Sequence, residues 1–372
     1  MVAATLALLA ASFSSAEECS EALCIHHVKI ESGGYKVFIE NLGLVTQKIR
    51  LSVGGKNIRV IPEETVDLLL PGLEKELALT VLPKNPQKPW SYNYEYMNRE
   101  TEGSSRNCFQ DMVCVSVIFN DDIFEFFVEN KKISPITVRI EDSGFLNLNV
   151  SSSLPSLETY PPSSTTLAFS ANLIDEWKPW NYPFQVKYQI GTLKPRHDNS
   201  FLYRLPYAIG ESHKVTQGFN GEKTHQNTFA IDWAMPEGTP VYAAREGIVI
   251  DKEERYSEGG TEEKYKSKEN HINILHDDGT IASYVHLKKH GALVDIGDSI
   301  KAGDKIGYSG DTGYSSGPHL HFDVFGINKD LEMDTIPVRF LNEDADKELK
   351  AGKFYTAINP KPIDKPNKNT HI

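Results

Sequence analysis

The segment Gly317-Pro318-His319-Leu320-His321-Phe322-Asp323-Val324 places two imidazoles and a carboxylate at alternate positions. As a β-strand it sends His319, His321 and Asp323 to one face and Leu320, Phe322 and Val324 to the other. The second face suits a core. The first suits a metal ion with an acid–base group beside it, since neutral imidazole is both a common metal ligand and a proton carrier near neutral pH. A half-buried strand with two incidental histidines would also read this way. The rest of the C-terminal half argues against that.

Two further polar islands precede this strand. One is Thr224-His225-Gln226-Asn227-Thr228-Phe229-Ala230-Ile231-Asp232-Trp233; the other is Ile281-Ala282-Ser283-Tyr284-Val285-His286-Leu287. Glycine-rich signatures accompany them at Arg245-Glu246-Gly247 and Gly310-Asp311-Thr312-Gly313. In this order the three islands resemble the lysostaphin-type (LytM-like) zinc metallopeptidases, which cleave peptide bonds in bacterial peptidoglycan. The resemblance runs from Tyr203 to Asn342, less than half the chain.

The resemblance implies one Zn²⁺ per chain, held by His225, Asp232 and His321, with His286 and His319 as an unliganded catalytic pair. The chemistry of the residues agrees. Three nitrogen and oxygen ligands leave one position on a catalytic zinc for water, and a nearby histidine can move the protons. One departure is visible: six residues separate His225 from Asp232, where many relatives have three. They are expected to enlarge the loop after His225 and to leave Phe229–Asp232 extended. Phe219 stands where some relatives carry a tyrosine and cannot donate to an oxyanion. His286 and His319 are better candidates for that role, and Tyr284 is as well explained as core. His271 and His276 read as strand-edge surface residues beside the Asp278-Gly279 turn. His26, His27, His197, His213, His290 and His371 read as polar or terminal residues without a ligand partner.

These residues sit in a chain of 372 residues, long enough for two or three domains. Residues 1–16 read as a signal peptide, apolar from Val2 to Phe13 and ending in a small-residue cleavage site at Ala16. No later run is apolar enough to span a bilayer, and no membrane anchor is expected. The expected address is the periplasm or the medium. A formal net charge of −12 argues against nucleic acid, whose binders carry a basic face.

A repeat organises the N-terminal half. Phe38-Ile39-Glu40-Asn41 returns as Phe127-Val128-Glu129-Asn130, and Lys88-Pro89-Trp90-Ser91-Tyr92 as Lys178-Pro179-Trp180-Asn181-Tyr182. The period is about ninety residues, the size of a small β-sandwich. Four cysteines allow three pairings; the repeat favours Cys19 with Cys24 and Cys108 with Cys114. The expected fold is mostly β: module 1 at 17–104, module 2 at 105–192, a LytM-type peptidase domain at 193–358 and a disordered tail at 359–372. The modules carry no ligand cluster and are expected to position or gate the peptidase. The charged run from Asp251 to Asn270 reads as a solvated loop or, beside the cleft, as a substrate clamp. The function expected is hydrolysis of peptidoglycan cross-links or stem peptides. The alternatives are a non-catalytic activator of a cell-wall amidase and a zinc peptidase acting on proteins.

Overall fold

The computed structural model describes residues 3–9, 15–342 and 348–359, and it is built almost wholly from β-strands. It divides into two compact units. The first comprises residues 1–129, 140–156 and 165–186; the second comprises 130–139, 157–164 and 187–372. No helix among the described residues is long and apolar enough to cross a membrane. The expected signal segment lies partly outside the described residues, as does the expected tail from residue 360 onward. Of the former, the backbone of residues 3–9 pairs antiparallel with Ser91–Glu100.

In the first unit, alternation of apolar and polar residues decides which side of each strand is buried. Tyr35, Val37 and Ile39 on one sheet meet Ile49, Leu51, Val53, Tyr92, Tyr94 and Tyr96 on another in a shared core. Cys19 is disulfide-bonded to Cys24, and Cys108 to Cys114. Each bridge joins directly paired positions of one hairpin. Corresponding stretches of the two N-terminal segments make corresponding bonds. The Asn41 amide donates to the carbonyls of Val45, Leu70 and Pro71, and that of Asn130 to Ser134, Tyr160 and Pro161. Trp90 stacks on Tyr92 as Trp180 does on Tyr182. His27, expected in polar surroundings, is instead buried against Tyr92 and Tyr94 and bonded to the Tyr92 hydroxyl.

The second unit is dominated by a nine-stranded sheet. Its strands are β1 (Ser212–Gln217), β2 (Ala230–Ala234), β3 (Gly247–Glu253), β4 (His271–Leu275) and β5 (Ile281–Val285). They continue as β6 (Ser299–Ile300), β7 (His319–Ile327), β8 (Met333–Thr335) and β9 (Phe354–Thr356). The order across the sheet is β6-β3-β4-β5-β7-β2-β1-β9, with β8 pairing β7. One face is apolar. Trp233, Tyr284, Leu320, Phe322 and Val324 pack there with Tyr203 and Phe340 into a single core. Trp233 is fully buried, and truncation to alanine is expected to cost about 3–5 kcal/mol. The period of two that buries these side chains turns Asp232, Ser283, His319, His321 and Asp323 to the opposite face.

The surface reading of His276 is corrected. It is 3% exposed, its Nδ1 donating to the Glu246 carbonyl at 2.7 Å while Nε2 has no partner. Burial, outweighing that hydrogen bond, lowers its pKa from 6.5 to about 4. The unfolded chain therefore binds the proton more tightly. The contribution to stability is complete above pH 6.5 and is lost as pH falls through 4. Between pH 7.5 and pH 5 that is about 2 kcal/mol. Urea unfolding of the wild type and His276→Asn at those two pH values should show the smaller pH dependence in the variant. Equal dependences would refute it.

Candidate metal centre and cleft

Each site residue is placed by the sheet. Asp232 on β2 is the cross-strand partner of His321 on β7, and Val285 on β5 is the partner of His321 on the other side. His286 therefore emerges at the end of β5 beside the β7 histidines. His225 comes from the loop between β1 and β2, where the residues from Gln226 to Phe229 give the chain room to turn. The result is a cleft of about 1110 Å³ lined by all five residues.

His225 Nε2, Asp232 Oδ1 and His321 Nδ1 converge, their ligand atoms all within 4.8 Å of one another. His225 Nε2 lies 3.2 Å from Asp232 Oδ1 and 3.3 Å from His321 Nδ1. His321 Nδ1 lies 3.0 Å from Asp232 Oδ1. Two imidazole nitrogens face each other across a carboxylate, an arrangement that a shared cation satisfies and lone pairs alone do not. Every donor is also held from behind. His225 Nδ1 donates to the Gly218 carbonyl at 3.1 Å, which leaves Nε2 as the free lone pair. His321 Nε2 is held by Asp323 Oδ2 at 3.2 Å, the carboxylate–histidine support typical of metal ligands. Asp232 Oδ2 accepts from Gln217 Nε2 at 3.1 Å.

Electrostatics favour the charged carboxylate. Burial alone would raise the Asp232 pKa, but hydrogen bonds and charge from His225 and His321 outweigh it and hold the carboxyl well below its ordinary range. These three residues therefore suit a divalent metal with nitrogen and oxygen preference.

His286 and His319 stand next to this cluster, ring centroids 4.5 Å apart. His286 Nδ1 donates to the Thr312 carbonyl at 2.7 Å and His319 Nδ1 to the Gly317 carbonyl at 2.8 Å. Both rings are thereby fixed in the tautomer whose Nε2 is a proton acceptor. Burial, then the neighbouring His319 and His321, pushes the His286 pKa down to about 3, so the ring is neutral at neutral pH. His286 also holds a left-handed backbone with φ of +63°. A histidine there is uncommon, and such strain concentrates at functional sites. The Gly310–Gly313 signature has a steric cause. Gly313 adopts φ of +79°, and a Cβ there would lie 2.9 Å from the Glu269 Cα.

Three further residues belong to the site. Gln217 ties the carboxylate of Asp232 to Thr224, and its Oε1 accepts from the backbone of Lys223 and Thr224. Asp323 supports His321. Ser315 lies between Asp311 and the His319 Nδ1. Asp323 was visible as the third polar position of the strand; Gln217 and Ser315 carry no spacing signal. Tyr284 is fully buried, its hydroxyl accepting from the Ala244 amide, and takes no part in the cleft. Phe219 packs edge-on against Phe229. His271 is half-buried rather than on the surface; it bonds Asp251 at 3.0 Å and lines the cleft. The charged run is anchored by buried Asn270, pairs at Gly259-Gly260 with Gly313-Tyr314, and contributes Thr261 and Glu269 to the lining.

Residues 226–333 match Peptidase family M23. That span holds Asp232, His286, His319 and His321, with His225 one residue before it. The chain is 37% identical over 141 residues to an uncharacterized metalloprotease of Buchnera aphidicola, covering 36% of this chain and 34% of that one. It is 39% identical over 129 residues to the glycyl-glycine endopeptidase ALE-1 of Staphylococcus capitis, covering 34% and 31%. It is 31% identical over 124 residues to the peptidoglycan DD-endopeptidase ShyA of Vibrio cholerae, covering 32% and 26%. The matches thus span about a third or less of these curated relatives. The match to Peptidase family M23 thus falls on the stretch that holds the candidate site, and over that stretch the chain is also similar to lysostaphin, at 34% identity over 137 residues.

Proposed function

We propose that this chain is an exported zinc endopeptidase that hydrolyses peptide bonds in peptidoglycan. The observation that carries the reading is the convergence of His225, Asp232 and His321 beside two imidazoles whose Nε2 atoms face the same cleft. A bound zinc would supply Lewis acidity, activating water and polarising the scissile carbonyl.

The chain's own residues do the rest. Asp232 brings the only charge among the three donors, and Gln217 and Asp323 fix the orientation of the carboxylate and of His321. Neutral His286, with His319 beside it, accepts the proton that the attacking water releases, and the pair then returns one to the leaving amine. In its protonated phase the same imidazole pair faces the negative charge that develops on the carbonyl oxygen. The peptidoglycan substrate is supported by what the relatives' names describe, and export by the apolar segment at residues 2–13.

The test is digestion of purified sacculi by the zinc-loaded full chain, with released muropeptides identified by mass spectrometry. New peptide termini that vanish with a chelator and return with zinc are expected. Intact sacculi after incubation with metal-loaded protein would overturn the reading.

A further inference from the structure

The cleft continues past the metal donors along β7. Asp323 lies two residues beyond His321, roughly 7 Å along the strand. It is the cross-strand partner of Ser283 on β5, which is in turn the partner of Asn273 on β4. The three side chains form a row across adjacent strands, and all three line the cleft.

Two acceptor oxygens of this row are unpaired. Asp323 Oδ1 and Asn273 Oδ1 are buried with no hydrogen-bond partner. The other Asp323 oxygen is engaged by His321. The Ser283 side chain is 9% exposed and has no partner among the described residues. Buried polar atoms are nearly always paired, so these two, on the strands either side of Ser283, mark a place where something else completes the bonding. Further carboxyl groups stand in the surroundings. Glu269 lines the same stretch. Asp251 lies there too, paired with His271.

The complement of several inward-facing acceptors in an acidic pocket is a primary ammonium, which offers three donors and a positive charge. A carboxylate would set like charge against Asp323. We propose that Asn273, Ser283 and Asp323 form a subsite for a primary ammonium of the substrate, such as the side-chain amine of a diamino-acid residue near the scissile bond. This rests on the reading of the cleft as a peptidase site and adds a selectivity to it.

The experiment uses two soluble peptides that differ only in one residue, a diamino acid against its methyl-terminated isostere. Binding to the full chain, with and without zinc, is measured by calorimetry, and hydrolysis is followed in parallel. The ammonium peptide should bind about tenfold tighter or better, as expected for hydrogen bonds to a charged group. Asn273→Leu and Ser283→Ala should each shrink that difference while the proteins melt like the wild type. Ser283→Ala removes a single oxygen and keeps the comparison open should Asn273→Leu not fold. Equal affinity for the two peptides, or a preference untouched by either folded variant, overturns the subsite. If the preference is present but neither peptide nor sacculi are cut, the hydrolase reading fails and the subsite stands. If both peptides are cut while binding equally, the reverse holds.

Discussion

His321→Ala is expected to lose stoichiometric metal and hydrolytic activity together. His321 is the donor with the most support: its Nδ1 meets Asp232 and its Nε2 meets Asp323. Removing it leaves one imidazole and one carboxylate, too few protein ligands for a catalytic site. Because Lewis-acid stabilisation is worth several kcal/mol, activity should fall below about one-thousandth of wild type. The substitution should spare the fold, since His321 sits on the cleft face of β7 while Leu320 and Phe322 hold the core. Metal content by mass spectrometry and a thermal melt check both points. A graded companion is Asp323→Asn, which keeps all three ligands but weakens the support of His321. Metal affinity should drop about 10–100-fold, as for other outer carboxylates. A His321→Ala protein with unchanged metal content would remove His321 from the ligand set.

What could be read along the chain was whatever repeats locally. The alternation in His319–Val324 announces both a strand and its two faces, because side-chain direction in a strand has a period of two. The same rule predicts Asp323 on the face of the histidines. Partners far apart in sequence are another matter. Asp232 and His321 are directly paired across strands, yet 89 residues separate them, and only the family resemblance brought them together beforehand. Gln217 was invisible because it acts through a register set by the β1–β2 bulge, and nothing about a glutamine at a strand end signals a carboxylate beside it. His276 misled for a related reason. A polar residue beside an Asp-Gly turn is normally solvated, but here the Glu246 carbonyl, at the start of the neighbouring strand β3, holds the ring in the interior. The row of Asn273, Ser283 and Asp323 likewise exists only once three strands are in register.

His286→Asn and His319→Ala are expected to retain the metal and slow the chemical step, by roughly 10²–10⁴-fold each if they carry protons. Neither side chain belongs to the converging donor set; His319 Nε2 stands 3.8 Å from the nearest Asp232 oxygen. Asparagine is the choice at 286 because the backbone there is left-handed, a conformation that asparagine tolerates better than most residues. A loss of rate in His286→Asn then reports the imidazole and not the turn. The two histidines touch, so their effects should not add: if they move protons as a unit, the double variant should be little slower than the worse single one. Additive losses would mean separate duties, one ring taking the proton and the other facing the oxyanion. Single-turnover rates on a soluble peptide, with metal content measured on the same samples, separate these outcomes. Loss of metal in His319→Ala with retention in His321→Ala would exchange the roles of the two β7 histidines, since both face the cleft from alternate positions of one strand.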